Sequence, residues 1–157
     1  MQIVVAGPEH LPIIQTLFRE YEQELDADLC FQSFEAELAD PFKKYGEPKG
    51  ALFLAFDGTA AAGCIALQPL TEAGVCEMKR LYVRPAYRKT GLGRLLVTQL
   101  LETARIKQYH TMRLDTLEKL QPAIKLYASF GFREVGAYYD NPLEGVVYME
   151  KGLGVSR

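Results

Sequence analysis

Apolar and polar positions alternate along the chain in two rhythms, and the rhythm changes several times. Gln2–Val5 is a short strand candidate, and Pro8 then opens a helix whose apolar positions Leu11, Ile14, Leu17, Phe18, Tyr21 and Leu25 recur at three and four. Ser33 is placed to cap a second helix carrying Glu37 and Leu38, with Pro41 ending it. Residues 43–50 hold two glycines and a proline and read as a loop. Ala51–Phe56 and Ala61–Leu67 form a hairpin through Asp57-Gly58. Val75–Val83 is a third strand, and a regular pleat would put Val75, Glu77, Lys79, Leu81 and Val83 on one face. Leu92, Leu95, Leu96, Leu100 and Ala104 make a helical stripe, and Met112–Thr116 is a short strand. Pro122 starts a last helix containing Ile124, Tyr127 and Ala128, which Gly131 stops. Val135–Tyr139 and Val146–Glu150 read as a closing pair of strands around Asn141-Pro142.

That order gives seven strands and four helices in one α/β (α+β) unit around a central sheet, and no linker, repeat or low-complexity tract divides residues 1–157. The length suits a single domain with a sizeable core, and 48% hydrophobic residues place the chain outside intrinsic disorder. No run approaches the roughly 20 apolar residues of a membrane helix, and MQIVVAGPEH lacks a charged leader. Cys30, Cys64 and Cys76 are widely spaced without a CxxC pair. They argue against a disulfide framework or zinc site and fit reduced thiols in the cytoplasm. A soluble cytoplasmic domain, with no membrane and no metal, is the expectation.

The net charge of −2 excludes a nucleic-acid binder that relies on overall positive charge. The charge is unevenly placed, however. Lys79, Arg80, Arg84, Arg88, Lys89 and Arg94 put six bases and no acid between residues 78 and 94, so the rest of the chain sums to −8. Residues 1–50 hold ten acids and four bases, five of those acids between Glu20 and Asp28. Acids lining a cleft there would draw in a cationic amine. Tyr138-Tyr139-Asp140-Asn141 is a second candidate wall.

Within the basic island an apolar strand runs into Arg88-Lys89-Thr90-Gly91-Leu92-Gly93-Arg94, where a strong helix begins. Glycines let backbone N–H groups approach a ligand, and the first amides of a helix are unpaired at the positive end of its dipole. Such a turn suits a phosphate or pyrophosphate. It is neither a dinucleotide fingerprint, since Leu96 stands three residues beyond Gly93, nor a Walker loop, which needs Gly-Lys-Ser/Thr.

Glu77-Met-Lys-Arg-Leu-Tyr-Val-Arg-Pro-x-x-Arg-x-x-Gly-x-Gly-Arg94 resembles the acetyl-coenzyme A signature of the GNAT superfamily of N-acetyltransferases. Ala123-Ile-Lys-Leu-Tyr-Ala-Ser-Phe-Gly-Phe132 is similar to the family's Leu-Tyr-x-x-x-Gly-Phe segment. The resemblance covers essentially the whole chain, most strongly residues 75–135. It implies a single domain with a mixed, mostly antiparallel sheet. It also implies an acyltransferase moving an acetyl group from acetyl-CoA to a primary amine by direct attack in a ternary complex. The acceptor would be a small molecule or a peptide, and a homodimer is one assembly the family adopts. The rival from another class is a catalytically silent CoA-binding regulatory module.

Carried onto this chain, the resemblance puts the pantetheine arm against the backbone of Leu81, Tyr82 and Val83. It puts the pyrophosphate on Arg88, Lys89, Thr90, Gly91, Leu92, Gly93 and Arg94. Glu77 stands where some members keep a general base, acting directly or through water; an exposed strand carboxylate or a partner of Lys79 or Arg80 is the alternative. Tyr127 matches the tyrosine that protonates the departing sulfur, the alternative being a core aromatic. Where members often carry a cofactor-contacting asparagine this chain has Leu120, leaving Gln121 as the candidate substitute. His10 and His110 read as surface residues, and Cys64 and Cys76 as small buried hydrophobes.

Overall fold

A computed structural model describes residues 1–27, 29 and 33–154. Asp28 and Cys30, named above, lie outside the described residues. Seven strands form one sheet: β1 (Gln2–Val5), β2 (Ala51–Asp57), β3 (Ala60–Pro69), β4 (Val75–Val83), β5 (Thr111–Leu117), β6 (Arg133–Val135) and β7 (Val146–Gly152). Their order across the sheet is β1-β2-β3-β4-β5-β7-β6. Every neighbouring pair is antiparallel except β4 and β5, which run parallel.

The helices follow the apolar spacing. In α1 (Leu11–Leu25) the buried positions are Ile14, Leu17, Phe18 and Leu25, one face of a 3.6-residue period. Asp26, at φ 50°, ends the helix in the left-handed region. In α4 (Leu92–Ile106), Leu92, Leu96, Val97, Leu100, Leu101 and Ala104 are buried, while Leu95 faces solvent at 52% exposure. After α5 (Gln121–Ser129), Gly131 takes φ 95° and the amide of Phe132 returns to the Tyr127 carbonyl, which closes the helix.

Three expectations are corrected. Residues 43–50 contain a one-turn helix, α3 (Phe42–Tyr45), which Pro41 precedes; Pro41 therefore separates it from α2 (Phe34–Ala39). Ser33 occupies the N-cap of α2 but makes no side-chain cap bond. The strand expected at Val135–Tyr139 is Arg133–Val135 instead, because the chain leaves β7 after Val135 pairs with Tyr148. Tyr138 and Tyr139 then turn their hydroxyls onto carboxylates of β4 and β5.

Two apolar cores cover the two faces of the sheet. One packs α4 and α5 on Phe53, Ile65, Leu67, Met78 and Leu114; the other packs α1 and α2 on Leu52, Leu54, Cys64, Ala66 and Tyr82. Cys64 and Cys76 are free and buried, and burial pushes each thiol up to about 12. Among the described residues no helix is long and apolar enough to cross a membrane.

Candidate active site

The site begins with an irregularity in β4. Register against β3 runs Cys64↔Tyr82 and then Ala66↔Lys79, so two residues of β4 oppose the single Ile65. Arg80 takes φ 59° there, the mark of a bulge that inserts one residue and flips the alternation beyond it. Leu81 and Val83 therefore join the α4-side core with Met78, while Tyr82 joins the α1-side core. The expected single face of Val75, Glu77, Lys79, Leu81 and Val83 is thus broken at the bulge.

Beyond the bulge β4 also parts from β5. The two strands pair only at Val75↔Thr111, Cys76↔Met112 and Glu77↔Arg113. Past that point Met78–Val83 and Leu114–Leu117 diverge, and a cavity of about 450 Å3 fills the wedge between them. That volume lies within the range of small-molecule sites.

At one end of this wedge α4 begins. Gly91 is its N-cap at φ 88°, where an added Cβ would meet nothing but would sit on a disfavoured backbone. Leu95 makes the first intrahelical bond, to the Gly91 carbonyl, so the amides of Leu92, Gly93 and Arg94 precede the ladder. A Cβ on Gly93 would lie 3.4 Å from the Leu126 side chain, in ordinary van der Waals contact. An unladdered amide turn at a helix's positive end, opening on a wedge of strand edges, fits the pyrophosphate and pantetheine of a coenzyme A.

Of the residues singled out from sequence, Leu81, Tyr82, Val83, Arg88, Lys89, Gly91, Leu92, Gly93 and Tyr127 line the cavity. Thr90, Arg94 and Glu77 do not. Thr90 donates to the Tyr87 carbonyl at 2.5 Å, and Arg94 donates to Ser129 Oγ at 2.7 Å and stacks over Phe130. Glu77 is 3% exposed and accepts from Tyr138 Oη at 2.5 Å and Gln68 Nε2 at 2.7 Å, so it is not the exposed carboxylate of the alternative reading. Gln121 turns its amide onto the Glu118 carbonyl and lies outside the cavity, whereas Leu120 lines it.

Tyr127 projects from α5 and lines the wedge, its ring edge-on to Phe132. Burial raises its phenol above the ordinary value, with Tyr21 and Asp115 adding to the shift. It makes no hydrogen bond to the protein among the described residues, so the hydroxyl is available to a ligand.

The basic island is largely neutralised in place. Arg80 holds Glu37 through Nε at 2.7 Å and Nη2 at 2.9 Å; Arg84 holds Glu20 at 3.0 and 2.9 Å. Arg88 holds Glu24, and Lys79 faces Asp115 at 4.0 Å. Glu20 and Glu24 of α1 thus pair with Arg84 and Arg88 beyond the end of β4, while the β4 bases Lys79 and Arg80 pair with Asp115 of β5 and Glu37 of α2. Arg88 also donates from Nε to the Val83 carbonyl at 2.9 Å. Burial, reinforced by Arg80, lowers the ammonium of Lys79.

Asp115 escaped sequence reasoning. It lines the α1 side of the cavity, its Oδ2 accepting from Tyr139 Oη and from Asn141 Nδ2 at 3.1 Å. Nothing local marks it out; only the parting of β4 and β5 brings it to the cavity.

The fold, the divided strands and the glycine turn together define an acyltransferase. The chain matches the Acetyltransferase (GNAT) family model over residues 11–132, and it belongs to that family. It is 48% identical to an uncharacterized N-acetyltransferase of Schizosaccharomyces pombe, covering 90% of this chain and 88% of that one. An acetyltransferase of the GNAT family from Staphylococcus aureus superposes with a TM-score of 0.81 at 19% identity, covering 97% of this chain and 98% of its own. The yncA structure from Salmonella typhimurium, solved with its cofactor acetyl-CoA, superposes with a TM-score of 0.72 at 18% identity, covering 100% and 96%.

Proposed function

We propose that residues 1–157 act as one transferase domain that moves an acetyl group from acetyl-CoA to a primary amine by direct attack in a ternary complex. The observation that carries this reading is the single cavity that joins the α4 amide turn, the unpaired edge of β4 and Tyr127. Acetyl-CoA supplies an acyl group activated as a thioester. A nitrogen–carbon bond forms as the carbon–sulfur bond breaks, and two protons must move.

Leu92, Gly93 and Arg94 offer amides to the pyrophosphate, with Arg88, Lys89, Thr90 and Gly91 completing the turn. Leu81, Tyr82 and Val83 present strand backbone to the pantetheine arm. Tyr127 protonates the departing thiolate, and its raised value keeps the phenol protonated at neutral pH. An amine with a pKa near 10 is charged at neutral pH and must lose a proton before it attacks. Glu77 takes that proton through water, since it lies outside the cavity wall. A cytoplasmic setting fits the reduced Cys64 and Cys76.

The test is thiol release from acetyl-CoA across small amines, amino acids, polyamines, aminoglycosides and peptides, with mass spectrometry of the acetylated product. Tight CoA binding without release on any of them would identify the silent CoA-binding module instead.

A further inference from the structure

The cavity crosses the sheet, and its two halves differ in chemistry. On the α4 side stand the glycine turn, Leu126 and Tyr127. On the α1 side the wall is mostly Leu25, Leu29, Leu117, Leu120 and Leu143. Charged side chains reaching this half have partners: Arg80 has Glu37, Glu24 has Arg88 and Lys79 has Asp115. Asp115 is held in orientation through one oxygen only. Its Oδ2 takes Tyr139 and Asn141, while Oδ1 faces Lys79 Nζ at 4.0 Å, longer than a hydrogen bond. Oδ1 therefore keeps lone pairs for an incoming N–H.

We propose that the α1 half receives a hydrophobic primary amine, its nitrogen on Asp115 Oδ1 and its alkyl or arylalkyl body among the five leucines. The proposal rests on the acetyl-transfer reading above and adds its substrate class. Among the described residues the carboxylates lining the cavity are Asp115 and Glu24; Glu24 is hydrogen-bonded to Arg88, whereas Asp115 pairs with Lys79 only at 4.0 Å, longer than a hydrogen bond. A polyamine or aminoglycoside would carry further ammonium groups into the leucines, where their lost hydration meets no second carboxylate. A single ammonium with an apolar body has its lost hydration offset at Asp115 and gains burial of each methylene.

The series propylamine, butylamine, pentylamine and hexylamine, with spermidine as the polyvalent comparison, tests this. Thiol release gives kcat/KM, and the melting temperature of the CoA-saturated protein reads binding without turnover. The expectation is a rise of about fourfold in kcat/KM per methylene, with a parallel rise in the melting shift. Spermidine should fall about tenfold or more below hexylamine. Asp115→Asn should raise the KM for hexylamine and leave the KM for acetyl-CoA unchanged. Leu143 is half-buried in a loop, so Leu143→Glu should fold and should flatten the series while improving spermidine.

A flat or inverted series in both measurements, or a preference for spermidine, overturns the hydrophobic amine and leaves acetyl transfer standing. A length-dependent melting shift with no thiol release supports the leucine chamber and overturns acetyl transfer.

Discussion

Arg80 and Glu37 meet in a two-point ion pair at 2.7 and 2.9 Å, both all but excluded from water, at the residue where β4 bulges. The pair ties α2 to the strand just where the sheet opens, and Arg80 is further enclosed by the rings of Tyr21 and Phe34. Removing Glu37 takes the carboxylate away from the buried Arg80 charge, so Glu37→Ala should cost about 3–5 kcal/mol. Burial alone would raise the Glu37 carboxyl, but Arg80 and then Lys44 override burial and hold it below its usual value. A carboxyl lowered by folding contributes stability that is complete above its unfolded value of about 4.3 and fades as pH falls through the lowered folded value. Urea midpoints should therefore drop as pH is taken below about 5, and Glu37→Gln should lose that part of the slope. An unchanged slope in Glu37→Gln would show that the pair does not carry the acid sensitivity.

Tyr127 lines the cavity, and burial keeps its phenol protonated. Tyr127→Phe removes only the hydroxyl and retains the edge contact with Phe132. Turnover should fall by about 100-fold, the lower end of proton-transfer effects. The dissociation constant for CoA, measured by calorimetry, should stay within a factor of about two, since the ring's packing is kept. A turnover that survives the substitution would remove Tyr127 from the chemistry.

How far these features are legible in the sequence depends on their range along the chain. The α4 turn is local: two glycines two residues apart, bases beside them and a leucine stripe after them can be read directly. The number of strands and their succession along the chain follow from the same local patterns, though the bounds of β6 do not. The bulge at Arg80 cannot be read so, because it exists only in the register of Ala66 and Cys64 against Lys79 and Tyr82. Nor can the ion pairs, whose members Glu20 and Arg84, or Glu24 and Arg88, lie 64 residues apart. Divided by windows, the charges look like an acidic segment and a basic one; folded, they largely cancel. Tyr138 and Tyr139 read as strand by propensity, but the carboxylates of Glu77 and Asp115 outcompete the ladder for them.

Glu77 and Tyr138 share a proton donor and acceptor at 2.5 Å, and Tyr138 in turn lies beneath the Arg113 guanidinium. Burial, reinforced by Glu77 and Asp115, raises the Tyr138 phenol, so it remains a donor to the carboxylate throughout the neutral range. Glu77→Gln should lower kcat by about 100-fold at pH 7. The loss should narrow as pH rises towards the amine's own value near 10, where the acceptor deprotonates without help. Full activity in Glu77→Gln across this pH range would leave deprotonation to water alone.

Arg88 divides its guanidinium between the Glu24 carboxylate and the Val83 carbonyl, and all three residues line the cavity. Both charged side chains are about two-fifths exposed, at 41% and 40%, so the pair is solvent-screened and modest in strength. On the proposed placement of coenzyme A its phosphate would meet this turn, and Glu24 would compete with it for Arg88. Glu24→Gln should therefore tighten CoA binding by about threefold at low ionic strength. The gain should shrink as salt is raised and both interactions are screened. Arg88→Ala should weaken CoA binding in wild type and abolish the effect of Glu24→Gln in the double variant. Calorimetric titration of the four proteins at two salt concentrations checks this. An equal response to Glu24→Gln with and without Arg88 would mean that the carboxylate acts on the phosphate directly and not through the arginine.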